Sequence, residues 1–369
     1  MPRSLSLTLL LLATACAGEP AGPPAGPRVT LVDSVVVSDP DTFPRREGAG
    51  TIARSARGDL LVGVQDRVLH FRPDGQFVRV LGVPGEGPGE LRDIGGVGVI
   101  PGDSVVLVVS VARGRMIRFR LADGAVLGEV VAEKAFGAGQ QWAARGDTLY
   151  LPVSNGEGGY RRWVLGTDTA ALWGEEPPSA NVGAGRAYMA GGEPSAEPFG
   201  DGLVAFVPAD SMLLVYDTMG TVTRRVLLPV RVRRPFPADA EDQIQEGIRQ
   251  TPPVFRLPGP AVIGMHRLPD GRYLMVHIDF QSVTLENPLR LGVSNVHYWI
   301  SMVSADLREA CVDGEIPDPP EAVVRPLFYG DTIGLFVRST DDDGTPRSVL
   351  REYRVSGEGC GWVPMPGEG

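Results

Sequence analysis

The sequence predicts an all-β protein, a six-bladed β-propeller of four-stranded antiparallel blades. Two observations carry this expectation. Six Gly-Asp or Asp-Gly pairs each open onto a β-branched run: Gly58-Asp59, Gly102-Asp103, Gly146-Asp147, Gly200-Asp201, Asp270-Gly271 and Gly330-Asp331. A second polar turn follows each of them about 16 to 35 residues later, at Asp74-Gly75, Asp123-Gly124, Thr167-Asp168, Met219-Gly220, Ala305-Asp306 and Ser356-Gly357. Two turns per unit make two hairpins and four strands, and units of this size repeated about an axis are propeller blades. A single blade cannot bury both of its faces, so the 369 residues fold as one repeat domain rather than two ordinary ones.

The blades follow in order. Blade one spans about 50–81, with Leu60-Leu-Val-Gly-Val as its second strand and Val68-Leu-His-Phe as its third. Blade two covers about 95–131 with Val105-Val-Leu-Val-Val and Met116-Ile-Arg-Phe. Blades three, four and five take about 140–173, 198–232 and 262–312, and blade six runs from 321 to 362. Blade four has the weakest first strand, because residues 191–198 are poor in β-formers. The strand-like run Val29-Thr-Leu-Val-Asp-Ser-Val-Val-Val precedes blade one. It is expected to pair with blade six and close the ring, removing an exposed sheet edge.

The N-terminus reads as an address. Arg3 gives a positive start, residues 5–13 an apolar stretch too short to span a bilayer, and Thr14-Ala15 small residues before Cys16. Ala13-Thr14-Ala15-Cys16 resembles the lipobox of bacterial lipoprotein signals, with Ala13 where leucine or a branched residue is usual. The alternative is an ordinary secretory signal with an incidental cysteine. Residues 1–15 are therefore expected to be a signal peptide, 16–28 a Gly/Pro-rich flexible tether and 29–369 the propeller. Ala17 after Cys16 resembles outer-membrane sorting, which places the domain in the periplasm or at the cell surface. Losing Arg3 with the signal changes the net charge from −10 to −11. So acidic a chain repels phosphate backbones, and nucleic acid is excluded as a partner. Lys134 is the only lysine, so no catalytic scheme can use another. Cys311 and Cys360 remain after the signal; in an exported protein they form a disulfide, or else stay as two buried thiols if the outer strands that carry them diverge.

Blade one and the linker after it carry a family pattern. Phe71-Arg-Pro-Asp74-Gly75-Gln-Phe77, then Gly82, then Gly85-Glu86-Gly87-Pro88-Gly89-Glu90-Leu91, resembles the signature of bacterial six-bladed β-propellers related to NHL repeats. The match to G-x-G-P-G-E-[LF] is specific, while the blade pattern extends weakly over nearly all of the mature chain. Blade two departs from it, with Ser110-Val111 where an aspartate is usual. Many members are lipoproteins, so the resemblance implies fold and address rather than an activity.

In such blades the short turns share one rim, while the second-to-third-strand loops and the blade crossings share the other. The long segments 82–93, 174–197, 233–260, 279–295 and 339–347 all fall on that second rim, where binding is expected. Candidate binding residues there are Glu86, Glu90, Arg92, Asp93, Arg113, Arg115, Asn155, Tyr160, Arg161, Arg233, Arg234, Asp341, Asp342 and Asp343. Each has a plain structural alternative. Glu86 and Glu90 form a carboxylate pair, or Glu90 accepts backbone hydrogen bonds in a glycine-shaped crossing. Arg113, Arg115, Arg231, Arg233 and Arg234 make a cationic patch, or pair with the surface carboxylates of an acidic protein. Asp341-Asp342-Asp343-Gly344 supplies oxygen ligands for Ca²⁺, or is a solvated hairpin loop. Asp239 caps a short helix carrying Ile244 and Ile248, which plugs a gap between blades four and five or lids the channel.

Of the four histidines, His70, His266, His277 and His297, the hairpin at Asp270-Gly271 is expected to place His266 and His277 on one face near Asp279. Their spacing matches no standard metal-ligand pattern. No cofactor is called for beyond Ca²⁺ at the aspartate loop, and no catalytic signature stands out. The expectation is a non-enzymatic, lipid-anchored binding or assembly module for a protein, glycan or small-molecule ligand of the envelope. The alternative is a hydrolase or lyase with a divalent metal in the central channel.

Overall fold

The structure is a computed structural model that describes residues 25–37, 51–100, 104–110, 114–131, 142–152, 159–167, 170–174, 195–207, 212–231, 246, 249, 254–255, 259–280, 282–287, 290–294, 296–319, 326–340 and 346–368. The chain opens with β1 (Arg28–Val37). Blade I follows as β2 (Thr51–Arg54), β3 (Leu60–Val64), β4 (Arg67–Phe71) and β5 (Phe77–Leu81). The crossing holds two short strands, β6 (Val83–Pro84) and β7 (Glu90–Leu91). Blade II comprises β8 (Ile94–Val99), β9 (Val105–Ser110), β10 (Arg115–Arg120) and β11 (Val126–Val131). Blade III is β12 (Ala143–Arg145), β13 (Thr148–Pro152), β14 (Tyr160–Val164) and β15 (Ala170–Trp173). Blade IV is β16 (Ser195–Phe199), β17 (Gly202–Val207), β18 (Met212–Tyr216) and β19 (Val222–Leu227).

After β20 (Val254–Phe255), blade V is formed by β21 (Gly259–Arg267), β22 (Tyr273–Phe280), β25 (His297–Val303) and β26 (Glu309–Glu315). The hairpin β23 (Ser282–Asn287) and β24 (Arg290–Ser294) intervenes. Blade VI contributes β27 (Pro326–Tyr329), β28 (Thr332–Thr340) and β29 (Pro346–Ser356). The tail adds β30 (Val363–Pro364) and β31 (Gly367–Glu368).

Each blade is built on four antiparallel strands, inner strand first. These run in sequence order in blades I to V, the sheets of blades IV and V each gain a short fifth strand, and in blade VI the outer strand is β1. The turns work as their residues dictate. Asp74, Asp123, Asp217 and Asp270 each accept a hydrogen bond at Oδ1 from an amide two residues on, and the glycine in the turn takes a positive φ, +82° at Gly75 and +87° at Gly271.

The core is divided among the spaces between blades, because alternate residues of a strand face opposite neighbours. Leu61 and Val68 pack with Val106, Val108 and Ile117 of blade II, while Leu60, Val62 and Leu69 pack with Leu327, Phe336 and Leu350 of blade VI. Leu107 and Val109 turn the other way, onto Leu149, Leu151 and Trp163 of blade III. Clusters of the same kind join blades III and IV, IV and V, and V and VI. Six clusters in six interfaces close the wheel, and they explain why the middle strands read as unbroken apolar runs rather than as alternation.

Ring closure follows the expectation at one end of the chain and departs from it at the other. β1 pairs antiparallel with β29 from Arg28↔Ser356 to Val37↔Ser348 and is the fourth strand of blade VI. Ser356-Gly357 is therefore not a hairpin turn. Beyond it the chain leaves blade VI, and β30 and β31 add to the outer edges of β26 and β19 in blades V and IV. The segment 358–368 holds two prolines and three glycines, too poor in β-formers to compete with the valine-rich β1 for that edge.

Two further departures concern residues 279–295 and the N-terminal tether, while the expected short helix is met in part. Residues 279–295, expected to be irregular, contain β23 and β24, and β20 joins them in a small sheet of its own. Glu246 and Arg249 are helical, but Asp239, Ile244 and Ile248 lie outside the described residues. At the N-terminus, the last residues of the expected tether, Ala25–Pro27, are packed against the domain: the Ala25 carbonyl accepts the Gly361 amide at 2.8 Å, and Pro27 is buried.

Candidate functional site

The loop rim is best defined at the crossing from blade I to blade II. Here the glycines and Glu90 are occupied in holding the loop's own backbone. The Gly87 amide donates to the Glu90 carboxylate at 2.6 Å, the Glu90 amide to Gly87 O at 3.1 Å, and the Gly85 amide to Leu91 O at 3.1 Å. A side chain on Gly85 would overlap the Glu90 carboxylate, and one on Gly82, at φ +73°, would overlap the buried Leu91. Gly89, at φ +74°, leaves room for Val126, since a Cβ there would meet that side chain at 2.7 Å. Arg115 braces the loop from blade II, donating to Gly87 O at 3.3 Å and lying 3.6 Å from Glu129. Where an aspartate is usual after the second strand of blade II, the Ser110 hydroxyl donates to the Arg92 carbonyl instead. The side chains left outward are Glu86 and Arg92, paired with each other, and Asp93 at φ +51°.

The other rim candidates divide. Tyr160 is fully buried. Its ring meets Trp173 and Tyr216 edge-on, with centroids 6.4 Å and 6.1 Å away, and burial holds its phenol well above the usual range. It offers no surface to a partner, because its position in β14 points it into the blade III–IV core. Arg161, its neighbour, is buried on the opposite face of β14. Arg231 pairs with Asp313 at 3.3 Å, so Arg115 and Arg231 both take the carboxylate-paired alternative rather than standing as a bare cationic patch. Arg113, Asn155, Arg233, Arg234, Asp341, Asp342 and Asp343 lie outside the described residues.

His266 and His277 do not share a face. The register His266↔Leu274 and Met265↔Met275 puts even-numbered positions of β22 on the side of His266, so His277 faces the other way. His277 is buried, with Nε2 3.0 Å from Ser301 Oγ, edge-on to Phe206 of blade IV. His266 instead sits near the end of the inner strand β21. Its Nδ1 is 3.5 Å from Glu197 Oε1 on β16, and its ring stacks on Phe328 of β27 with centroids 5.6 Å apart.

Inner strands end at the short turns, so this carboxylate–imidazole pair lies at the short-turn mouth of the channel, bridging three consecutive blades. Sequence reasoning did not single out Glu197. The signal was present: Glu197, His266 and Phe328 each stand two to four residues before the first turn of their blade. Beside them, at the junction of blades VI and I, Arg54 pairs with Glu352 and lies 4.2 Å above the Tyr329 ring. Burial, then the adjacent Glu352, raise the Tyr329 phenol far above its usual value, so it stays neutral.

Among the described residues no group of three or more His, Cys, Asp or Glu is placed to hold a metal, and no helix is long and apolar enough to cross a membrane. Cys311 and Cys360 are bridged, with Cα atoms 5.8 Å apart. The expected divergence of outer strands does not apply, because Cys360 lies on the tail that crosses blade V.

In sequence, the chain matches no described protein family and no curated protein. Its fold is similar to that of a member of the DUF4221 family from Bacteroides vulgatus, with a TM-score of 0.62 and 10% identity over 90% of this chain and 99% of that one. A protein of Bacteroides fragilis described as exported aligns with a TM-score of 0.55 and 11% identity, over 89% of this chain and 95% of that one. At such identities the likeness is one of fold, and the class defined is that of six-bladed β-propellers.

Proposed function

We propose that the chain is a lipid-anchored β-propeller of the bacterial envelope whose loop rim binds a partner without catalysis. The observation that supports this reading is the construction of the crossing 82–93. Its glycines, Glu90 and Arg115 fix the backbone, which leaves Glu86, Arg92 and Asp93 outward on a rigid platform. We extend the proposed surface to Arg113, Asn155, Arg233, Arg234 and Asp341–Asp343, which the strand order assigns to the same rim; the buried Arg161 is not part of it. The partner is a protein, glycan or small-molecule ligand of the envelope, and the membrane is met through lipid on Cys16 alone. Residues 1–15 are the signal and the following residues, to about 24, the tether.

Two experiments test the reading. Native envelope material is passed over the anchored protein and over a Glu86→Ala/Arg92→Ala/Asp93→Ala variant, with Asp123→Ala on the opposite rim as control. Loss of capture in the triple variant alone supports the rim, whereas equal loss in the control refutes it. Cys16→Ser is expected to move the protein from the membrane fraction to the soluble fraction, and a variant still bound to membrane would sink the lipid anchor. Stoichiometric Ca²⁺ or Zn²⁺ in the purified protein would favour the channel hydrolase or lyase instead.

A further inference from the structure

Both ends of the wheel meet at the Cys311–Cys360 disulfide. On the C-terminal side the chain leaves β29 at Ser356, reaches Cys360, and then runs as a strap across blades V and IV. The strap is held by two-residue strands: β30 on Glu309 and Ala310 of β26, and β31 on Arg225 and Val226 of β19. The Met365 amide donates to Arg308 O at 2.7 Å, and the Leu227 amide to Pro366 O at 3.1 Å. Met365 is buried in the core between blades IV and V, and Cys360 and Trp362 rest against the core between V and VI.

On the N-terminal side, Ala25–Pro27 passes through a slot between β26 and the start of the strap. The Ala25 carbonyl oxygen accepts the Gly361 amide at 2.8 Å and lies 3.5 Å from Cys311 Sγ. Gly26 sits so close to the opposite wall that a Cβ would be 2.5 Å from Gly314 N. The bridge therefore ties together the two walls of the slot through which the chain enters β1.

We infer that this disulfide is a redox-labile clasp that sets how tightly the strap and the N-terminal entrance are held. Pairings of two residues are weak alone, and their occupancy depends on how little slack precedes them. With the bridge, roughly three residues separate the last fixed point from Val363; without it, roughly seven separate Val363 from Ser356. Loop-closure entropy, scaling as the 3/2 power of slack, then makes opening about fourfold easier.

The chemistry is thiol–disulfide exchange with an external dithiol. A thiolate attacks the half-buried Cys360 sulfur, and the S–S bond breaks. The fully buried Cys311 leaves as a thiolate and takes up a proton. The reagent's second thiol then displaces Cys360 as a thiol. The dithiol is oxidised to its disulfide, and the protein gains two electrons and two protons.

The test is amide hydrogen exchange on the full chain, oxidised and after dithiothreitol, together with Cys360→Ser. The Leu227, Met365 and Gly361 amides are expected to exchange at least about fourfold faster in both reduced protein and variant, while the Val276 amide in the middle of blade V is unchanged. Rates at all three positions within twofold of the oxidised protein would show that the strap holds itself. Acceleration at Val276 to the same degree would show that the bridge serves global stability. Either result overturns the clasp, and reduction of the native protein answers the question even if the variant fails to fold.

Discussion

The pairing of Arg54 with Glu352 stitches the first blade to the last, at the seam where the ring closes, and its removal has a calculable cost. The two side chains are 14% and 11% exposed, and Arg54 Nε also donates to Gly58 O at 3.2 Å. Arg54→Ala leaves the Glu352 carboxylate enclosed without its cation, which costs about 3–5 kcal/mol. Unfolding entropy of about 2.1 cal/mol/K per residue over ~340 residues amounts to ~0.7 kcal/mol/K, so Tm falls by about 4–7 °C. Differential scanning calorimetry at neutral pH reads this directly. An Arg54→Met/Glu352→Met double variant removes both charges and is expected to melt above Arg54→Ala. If Arg54→Ala lowers Tm by less than ~1 °C, or the double variant melts below the single one, the pair does not secure the seam.

Three other outcomes follow from the same structure. Gly85→Ala forces a methyl group into the Glu90 carboxylate and is expected to destabilise more than Glu90→Gln, which weakens one charge-assisted hydrogen bond at about 1.5–3 kcal/mol; urea midpoints rank the two. His70 has its pKa lowered, mainly by burial and against the pull of Asp59 at 3.5 Å. Its contribution is therefore complete above the unfolded value near 6.5 and is lost as pH falls toward the lower folded value. Tm should drop between pH 7 and 5 by more in the native protein than in His70→Gln. Among the described residues the buried Tyr160 hydroxyl has no hydrogen-bond partner, so Tyr160→Phe is expected to leave Tm unchanged or raise stability by about 1 kcal/mol; a loss of more than that would place a partner on the hydroxyl.

Much of this architecture could be read from local chemistry. Asp-Gly turns need a capping carboxylate and a positive φ, and both are visible as residue types, so blade spacing and the closing strand emerged directly. The crossing motif was also readable: Gly82, Gly85 and Gly89 each mark a place where another side chain occupies the space of a missing one. What escaped depended on competition or parity. Val29–Val37 and the residues after Ser356 both had a claim on the edge of blade VI, and only the relative β-propensity of the two decides it. The opposed faces of His266 and His277 follow from counting pairs across the Asp270-Gly271 turn. The burial of Tyr160 follows from its place between Tyr150 and Trp173 on the flanking strands of its own blade and Tyr216 of blade IV, which only the stacking of blades brings up. The meeting of Glu197 with His266 and Phe328 is likewise a product of the ring, since each comes from a different blade.

The pairing of β1 with β29 joins the earliest-made strand of the wheel to the latest. Until synthesis delivers residue 356, the valine-rich N-terminal segment has no lasting partner, and the growing stack of blades shows an uncovered side. Assembly must then proceed by stacking blades in order and locking them last, a high-contact-order route that is slow and leaves apolar surface open meanwhile. Nascent forms of such a chain depend on protection from aggregation until the final strand arrives.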